Sequence, residues 1–451
     1  MHIRATTSTV NKQKPWKVIL SATIGNALEW YDFIVYGFLA AALSRNFFPQ
    51  DDPKAAILLT TLSVGIGFVA RPLGAILLGI YADRAGRKPA MMLVIGLMFI
   101  STAMIAFAPT YTQAGIWATL LVACARLIQG FSAGGEFGTA TSYLIECAPA
   151  HRRGFYGSWQ MFAQASGALL STIVGALLFQ FYSQAEVDAW AWRLPFFLGL
   201  LIGPVGLYIR RHLHEADEFV QTKKQHVPFN VLWNQHLTDL FGATALSAAI
   251  NVMSYVIITY LPLYAKQTLG MSQEDAFLAL FIAVALRMAL IPLFGLLCDR
   301  RSRKSIMVWS LLLFVITIYP AYSYILDNPR FVPLLLVELW FAVLIAAAYA
   351  PSPTYLSEMF PPQVRATGLS ISYNLAATIF GGFSLFFVTY IQQVTGSKFA
   401  PAHYSFFFFA IALLVLLTRR DNGADKNAAG SHPTTQSANA APDNHVTITS
   451  T

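Results

Sequence analysis

Charged side chains set inside long apolar runs are the features of this sequence that can do chemistry. In the first such run, Asn26, Glu29, Asp32 and Tyr36 recur at steps of three and four residues and so share one helical face. In the fourth, Arg126, Gln129 and Glu136 fall within one narrow arc. A charge at the centre of a helix crossing hydrocarbon costs about 2.5 to 3.5 kcal/mol on insertion scales, so each needs a partner, water or a task. A carboxylate facing an arginine across a wet crevice is a proton switch. Ionised Asp32 would hold Arg126, and protonated Asp32 would release the guanidinium to grip another carboxylate through two parallel hydrogen bonds. Glu29 and Glu136 are the alternative proton carriers, and a permanent ion pair that only fixes packing is the competing reading for each.

Two further arginines extend the pattern. Arg71 precedes Pro72, where a helix can bend and freed carbonyls need donors, which makes it either a gating or structural donor or a cargo contact. Arg287 lies mid-run in the eighth segment without a neighbour of opposite charge, and Glu338 in the tenth is its expected intramembrane partner. Unpaired, Arg287 would favour a multiply charged anion. Gln160, Gln164 and Ser171 align on the fifth segment, Asn251, Tyr255 and Thr259 on the seventh, and Ser370, Asn374 and Thr378 on the eleventh, while Tyr349 shares a face with Glu338. Such side chains line a cavity or join helix to helix. With Tyr36 and Gln129 they complete the expected cargo-binding lining.

The elements that must position these residues follow from composition. Of 451 residues, 56% are apolar and 12% charged, about half the charged share of an ordinary soluble domain. The apolar residues fall into runs of about 20, each able to cross ~30 Å of hydrocarbon. We read twelve spans, at 18–43, 56–80, 91–108, 116–146, 155–182, 192–210, 237–264, 275–297, 305–325, 331–356, 366–391 and 402–418. The net charge of +8 reports topology: with a cytoplasmic N-terminus, twenty-one of the 30 Lys and Arg fall inside and five outside. Both termini are then cytoplasmic and no nucleic-acid partner is implied. The first run is too long for a signal-peptide core and should remain as span 1. Cys124, Cys147 and Cys298 show no paired spacing, so neither a disulfide nor a metal framework is expected. The tail is polar, lacks apolar periodicity and should be disordered.

The longest polar stretch falls after span 6 and divides the chain into a segment 1–17, a six-helix bundle 18–210, a linker 211–236, a second bundle 237–418 and a tail 419–451. The halves repeat each other. Gly79 through Asp83-Arg84, Gly86-Arg87-Lys88 is matched by Gly295 through Asp299-Arg300, Ser302-Arg303-Lys304, with Ser302 in place of Gly86. Tyr143-Leu-Ile-Glu146 through Arg153 is matched by Tyr355-Leu-Ser-Glu358 through Arg365. Duplicated bundles about a pseudo-two-fold axis place one site at mid-membrane and rock around it. Asp83, Arg84, Arg87, Lys88, Glu146, Arg153, Asp299, Arg300, Glu358 and Arg365 are read as gating residues. A carboxylate beside the N-terminus of span 11 would be favoured by the helix dipole, and Glu146 would pair with Arg87 or Arg153. Gly130, Gly134 and Gly138 form a ladder read as close packing.

The loop after span 2 resembles the hallmark loop of the major facilitator superfamily, and Arg126-Leu-Ile-Gln129-Gly130 resembles its second motif. Gly25-Asn26 through Asp32-Phe33, Arg71-Pro72-Leu-Gly74, Gly130 through Gly134-Gly135-Glu136 and Trp192-Arg193-Leu-Pro195-Phe196 resemble the metabolite:proton symporter family, whose carriers take citrate, tricarballylate, 2-oxoglutarate, shikimate or proline and betaine. The resemblance implies an all-α membrane protein of two six-helix halves, in which the first and fourth spans of each half line the cavity. It implies a protein of the bacterial inner membrane that imports a small organic anion with protons; separately, a monomer without a cofactor is expected. Four arginines in or at the ends of spans, Arg71, Arg126, Arg193 and Arg287, favour an anion over the zwitterion alternative, proline or betaine. An intramembrane enzyme would require a metal cluster, a Ser/Lys or Ser/His pair or an HExxH helix, and the sequence offers none of these.

Overall fold

Where water is excluded, a backbone must satisfy its own polar groups, and long runs of Leu, Ile, Val, Phe and Ala do so as helices. The computed structural model describes residues 15–48, 53–211, 215 and 230–419, and it is helical throughout these elements. The tail, the first residues and most of the linker expected from sequence lie outside the described residues.

The first bundle comprises α1 (Pro15–Phe38), α2 (Pro53–Ala85), α3 (Arg87–Ala106), α4 (Ile116–Cys147), α5 (Arg153–Phe181) and α6 (Arg193–Arg211). The second comprises α7 (Leu237–Gln267), α8 (Gln273–Cys298), α9 (Arg303–Asp327), α10 (Phe331–Glu358), α11 (Arg365–Thr395) and α12 (Ala400–Thr418). Ten of these are long and apolar enough to cross a membrane, and α1 and α2 occupy the places of the first two expected spans. Span 1 ends earlier than expected: the helix breaks at Leu39 and a short separate helix, Ala40–Phe47, follows.

The pairings obey the expected pseudo-symmetry. Within the first bundle α2 packs on α4, α1 on α5 and α3 on α6; within the second, α8 packs on α10, α7 on α11 and α9 on α12. The bundles meet through α2 against α11 and α5 against α8, again a symmetric pair. Val69, Leu73 and Leu77 recur every fourth residue on α2 and are exposed, the face a hydrocarbon solvent would cover.

The opposite face of α2 is held close by glycines. A Cβ at Gly130 would strike the carbonyl of Gly67, one at Gly134 would strike the Arg71 carbonyl, and one at Gly74 would strike Phe131. The third rung, Gly138, faces Ala366 and Ser370 of α11, so the ladder joins α4 both to its own bundle and to the other. This approach sets the backbones carrying Arg71 and Arg126 side by side. Two stretches, Met253–Tyr260 in α7 and Ala377–Gly382 in α11, are wound as π-helix, a rare geometry that often marks functional sites.

Candidate functional site

The polar residues of α1, α2 and α4 converge on one ring. Phe33 lies between two guanidinium groups, with those of Arg71 and Arg126 each 4.6 Å from its centroid. Arg71 also covers Phe68 at 5.0 Å, and Arg126 covers Tyr36 at 4.1 Å. Arg71 is committed to Glu29 through a buried 3.0 Å ion pair. Arg126 is less committed: it donates to the side-chain amide oxygen Oε1 of Gln129 at 2.7 Å, while its Nε and Nη2 are buried without hydrogen-bond partners.

The expected direct ion pair between Asp32 and Arg126 does not form. Gln129 donates onward to the Thr102 hydroxyl at 3.4 Å, and Thr102 donates to one carboxylate oxygen of Asp32. The other Asp32 oxygen is buried without a partner. The stacking of Arg126 on Phe33 and Tyr36 holds its guanidinium against the rings of α1, and a hydroxyl from α3 takes the place an arginine was expected to fill. Arginine and carboxylate are therefore joined by a two-residue relay.

Glu136, on the same arc of α4, pairs at 2.6 Å with Arg210, both side chains fully buried. Arg210 also donates to the carbonyls of Ser21 at 2.9 Å and Met91 at 2.6 Å, so one guanidinium ties together α1, α3, α4 and α6. By sequence alone Arg210, beside Arg211 at the end of a span, belongs with the twenty-one basic residues on the inner side.

Both halves contribute to the centre. Gln164 donates to the Tyr373 hydroxyl at 3.0 Å, Tyr373 stacks on Phe137 at 3.7 Å, and Tyr255 meets the edge of Phe68 at 6.3 Å. Asn374 donates across the interface to the Gly134 carbonyl at 2.7 Å, and Asn251 donates within its own helix to Ser247, so the nitrogen of each serves packing. The Gln160 amide is buried with neither end hydrogen-bonded.

In the second bundle Arg287 and Glu338 share the lining of a cavity of about 20 Å³ with Ile257, Ile258 and Phe341. Their expected ion pair is absent: both Glu338 oxygens and the Arg287 Nε are buried without hydrogen bonds, and Arg287 leans toward the Tyr349 ring at 5.8 Å. The hydroxyl of Tyr349 is held by the Ile250 carbonyl at 2.9 Å and by Ser254.

The basic end of the bundle is closed by contacts between the halves. Asp83 accepts from the backbone N–H groups of Ala366 at 3.2 Å and Thr367 at 2.9 Å, in the first turn of α11, and from Arg87 at 2.6 Å. Asp299 does the same for α5, accepting from Gly154 at 2.7 Å and Phe155 at 3.1 Å. A carboxylate on a helix N-terminus satisfies orphan donors and complements the dipole. Glu146 binds Arg87 through two hydrogen bonds, at 2.8 and 3.0 Å, and Arg365 at 3.1 Å. The second partner is thus Arg365 of the opposite half and not Arg153, whose carbonyl instead accepts from Thr354 at 2.9 Å. Glu358 pairs with Arg303 at 2.5 Å, while Arg84 and Arg300 are exposed. Glu215 of the linker accepts from the backbone N–H of Arg87 at 2.8 Å and of Lys88 at 3.2 Å.

The loop pair also explains Ser302. Gly86 has φ +122°, which a side chain would strain, whereas Ser302 has φ −58° and its hydroxyl caps α9 by accepting from Ser305 at 3.2 Å. Asp83→Asn is expected to weaken this closure by about 1 to 3 kcal/mol, since hydrogen bonds to a charged group are replaced by neutral ones. Cys298, buried beside Gly154, reports it. With Cys124 and Cys147 replaced by serine, its labelling by a membrane-impermeant maleimide should accelerate at least about fivefold. An unchanged rate would remove Asp83 from the gate.

Sequence reasoning missed Thr102, Arg210 and Arg303. Of these only Arg303 carried a signal, as the counterpart of Arg87 in the repeated loop.

The family described as sugar (and other) transporters matches residues 18–228 and 210–418, two overlapping stretches that follow the two bundles. A citrate-proton symporter of Klebsiella pneumoniae is 33% identical over 399 residues, covering 88% of this chain and 90% of that protein. A putative proline/betaine transporter of Staphylococcus haemolyticus (strain JCSC1435) is 31% identical over 430 residues, covering 94% and 92%. Among solved structures, the proton:xylose symporter XylE bound to 6-bromo-6-deoxy-D-glucose superimposes with a TM-score of 0.72 at 19% identity, covering 89% of this chain and 94% of that one. That likeness concerns the fold.

Proposed function

We propose, for a chain that belongs to the sugar (and other) transporter family of the major facilitator superfamily, that it is a proton-coupled symporter importing a small di- or tricarboxylate such as citrate across a bacterial inner membrane. The observation that carries this reading is Arg126, a buried guanidinium with two unpartnered nitrogen positions, linked through Gln129 and Thr102 to the half-satisfied carboxylate of Asp32. Ionised Asp32 draws the relay toward itself and compensates Arg126. When Asp32 takes a proton from the outer face, the arginine is left as an uncompensated cation and binds a cargo carboxylate. With the basic end cytoplasmic, rocking of the two bundles breaks the Asp83 and Asp299 caps, and cargo and proton leave together.

Glu29 and Arg71, already paired, serve to keep the second guanidinium in place beneath Phe33. The alternative cargo is a zwitterion such as proline or betaine, supported by the similarity to the staphylococcal transporter. The geometry favours the carboxylate: Phe33, Phe68 and Tyr36, the rings that could surround a quaternary ammonium, each already carry an arginine.

Uptake into proteoliposomes under an imposed pH gradient decides between them, with citrate, tricarballylate, 2-oxoglutarate, shikimate, proline and betaine offered in turn. Carboxylates are expected to accumulate. Arg287→Gln should weaken citrate uptake about tenfold or more, the worth of one charge-assisted hydrogen bond, while shikimate with its single carboxylate is affected less. Accumulation of betaine or proline alone would transfer the assignment to the alternative.

A further inference from the structure

The duplication that produced the two bundles also carries their ionic residues onto one another. The offset relating Asp83 to Asp299 carries Arg71 onto Arg287, and the offset relating Glu146 to Glu358 carries Arg126 onto Glu338. The cavity of the second bundle is therefore the counterpart of the Arg71, Phe33 and Arg126 cluster: α8 supplies an arginine as α2 does, and α10 supplies a charged residue where α4 does. The sign at that last place is reversed. On α7 the cavity is lined by Ile257 and Ile258, whereas α1 brings Asp32 and Phe33 to the first site. One half keeps its acid on the first helix of the bundle and the other keeps it on the fourth.

The surroundings of Glu338 define what it can do. Its side chain is buried, neither oxygen has a hydrogen-bond partner, and no second carboxylate is among the residues lining the cavity. Arg287 of α8 lines the same cavity, and the buried, unpartnered hydroxyl of Tyr322 on α9 lies within electrostatic reach of Glu338. From α7 come only the two isoleucines. A carboxylate stripped of water and partners is less stable than the neutral acid or the paired ion, so this geometry suits a Glu338 that carries a proton. A cavity of about 20 Å³ has room for about one water to deliver it.

Resting on the symport reading above, we propose that Glu338 is a second proton-carrying group, and that its protonation frees Arg287 to hold a second carboxylate of the cargo. The proton binds a Glu338 oxygen from the outer aqueous phase. When the basic end opens, the proton and the cargo pass to water and Glu338, now ionised, draws Arg287 into a pair. Each half thus releases one arginine for one proton, and a cargo with two carboxylates bridges Arg126 and Arg287.

Two measurements test this. Infrared difference spectra between high and low pH, taken on the protein in liposomes without cargo, should show a carboxylic-acid carbonyl band that is absent in E338Q and shifted in E338D. An unaltered set of bands in E338Q overturns the proposal. Citrate flux is then balanced against opposing pH gradients: wild type should move one more proton per citrate than E338Q, a difference of about tenfold in accumulation for each pH unit. Equal ratios overturn the inference and leave the Asp32 reading intact. Should E338Q fail to insert, the wild-type ratio decides, since one proton per citrate overturns it. Citrate flux indifferent to pH defeats the symport reading instead, and the infrared titration then judges Glu338 as a proton carrier separately.

Discussion

Replacing Asp32 with Asn is expected to abolish uphill uptake while leaving exchange of cargo across the membrane. A pH unit is worth ~1.4 kcal/mol per proton, so a two-unit gradient supports about a hundredfold accumulation for each coupled proton. Asn presents the same shape to Thr102 but cannot give up or take a proton, and Arg126 is then never recaptured. Accumulation should fall toward about unity, the value for a facilitator without coupling. Counterflow, in which labelled cargo enters against unlabelled cargo inside at equal pH on both sides, should persist. Loss of both activities together would show that Asp32 only supports the packing of α1 against α3 and α6.

The opposite pattern is expected at Glu136 and Arg210. Arg210→Met leaves Glu136 as a buried charge without its counter-ion and should cost about 3 to 5 kcal/mol, read as a lowered midpoint of unfolding in detergent. Removing the charge as well, in Arg210→Met with Glu136→Gln, should restore most of that loss, because a buried pair replaced by neutral groups is often close to neutral in stability. The Glu136→Gln protein should still accumulate cargo on a pH gradient. If it loses coupling at undiminished stability, Glu136 returns to the proton pathway. The two carboxylates thus separate: one is predicted to govern coupling and the other the fold.

The spans and their duplication were open to sequence reasoning because the bilayer demands long apolar runs and because loop residues at matched places repeat. The closure of the basic end was legible for the same reason, down to a carboxylate seated on the first turn of α11. Arg210 was not, since it stands beside Arg211 at the end of a span and both read as positive-inside residues. A one-residue step on a helix turns a side chain by about 100°, so one of the two is fully buried while its neighbour is exposed. Thr102 was invisible for a different reason: a lone threonine in an apolar run carries no charge penalty that demands a partner. The separation of Arg287 from Glu338 was not legible, because opposite charges on two spans predict attraction but not the side-chain rotamers that bring them within reach.

The two fasteners at the basic end have unequal access to ions. Arg87 and Glu146 are sealed from solvent, whereas Arg303 and Glu358 keep 16% and 27% of their side-chain surface exposed. Dissolved electrolyte screens charges over about 8 Å at physiological strength and reaches only the second pair. Gene duplication has thus left a bolt on one leaf of the door and a hook on the other. A rise in salt at that end would loosen the hook and leave the bolt thrown.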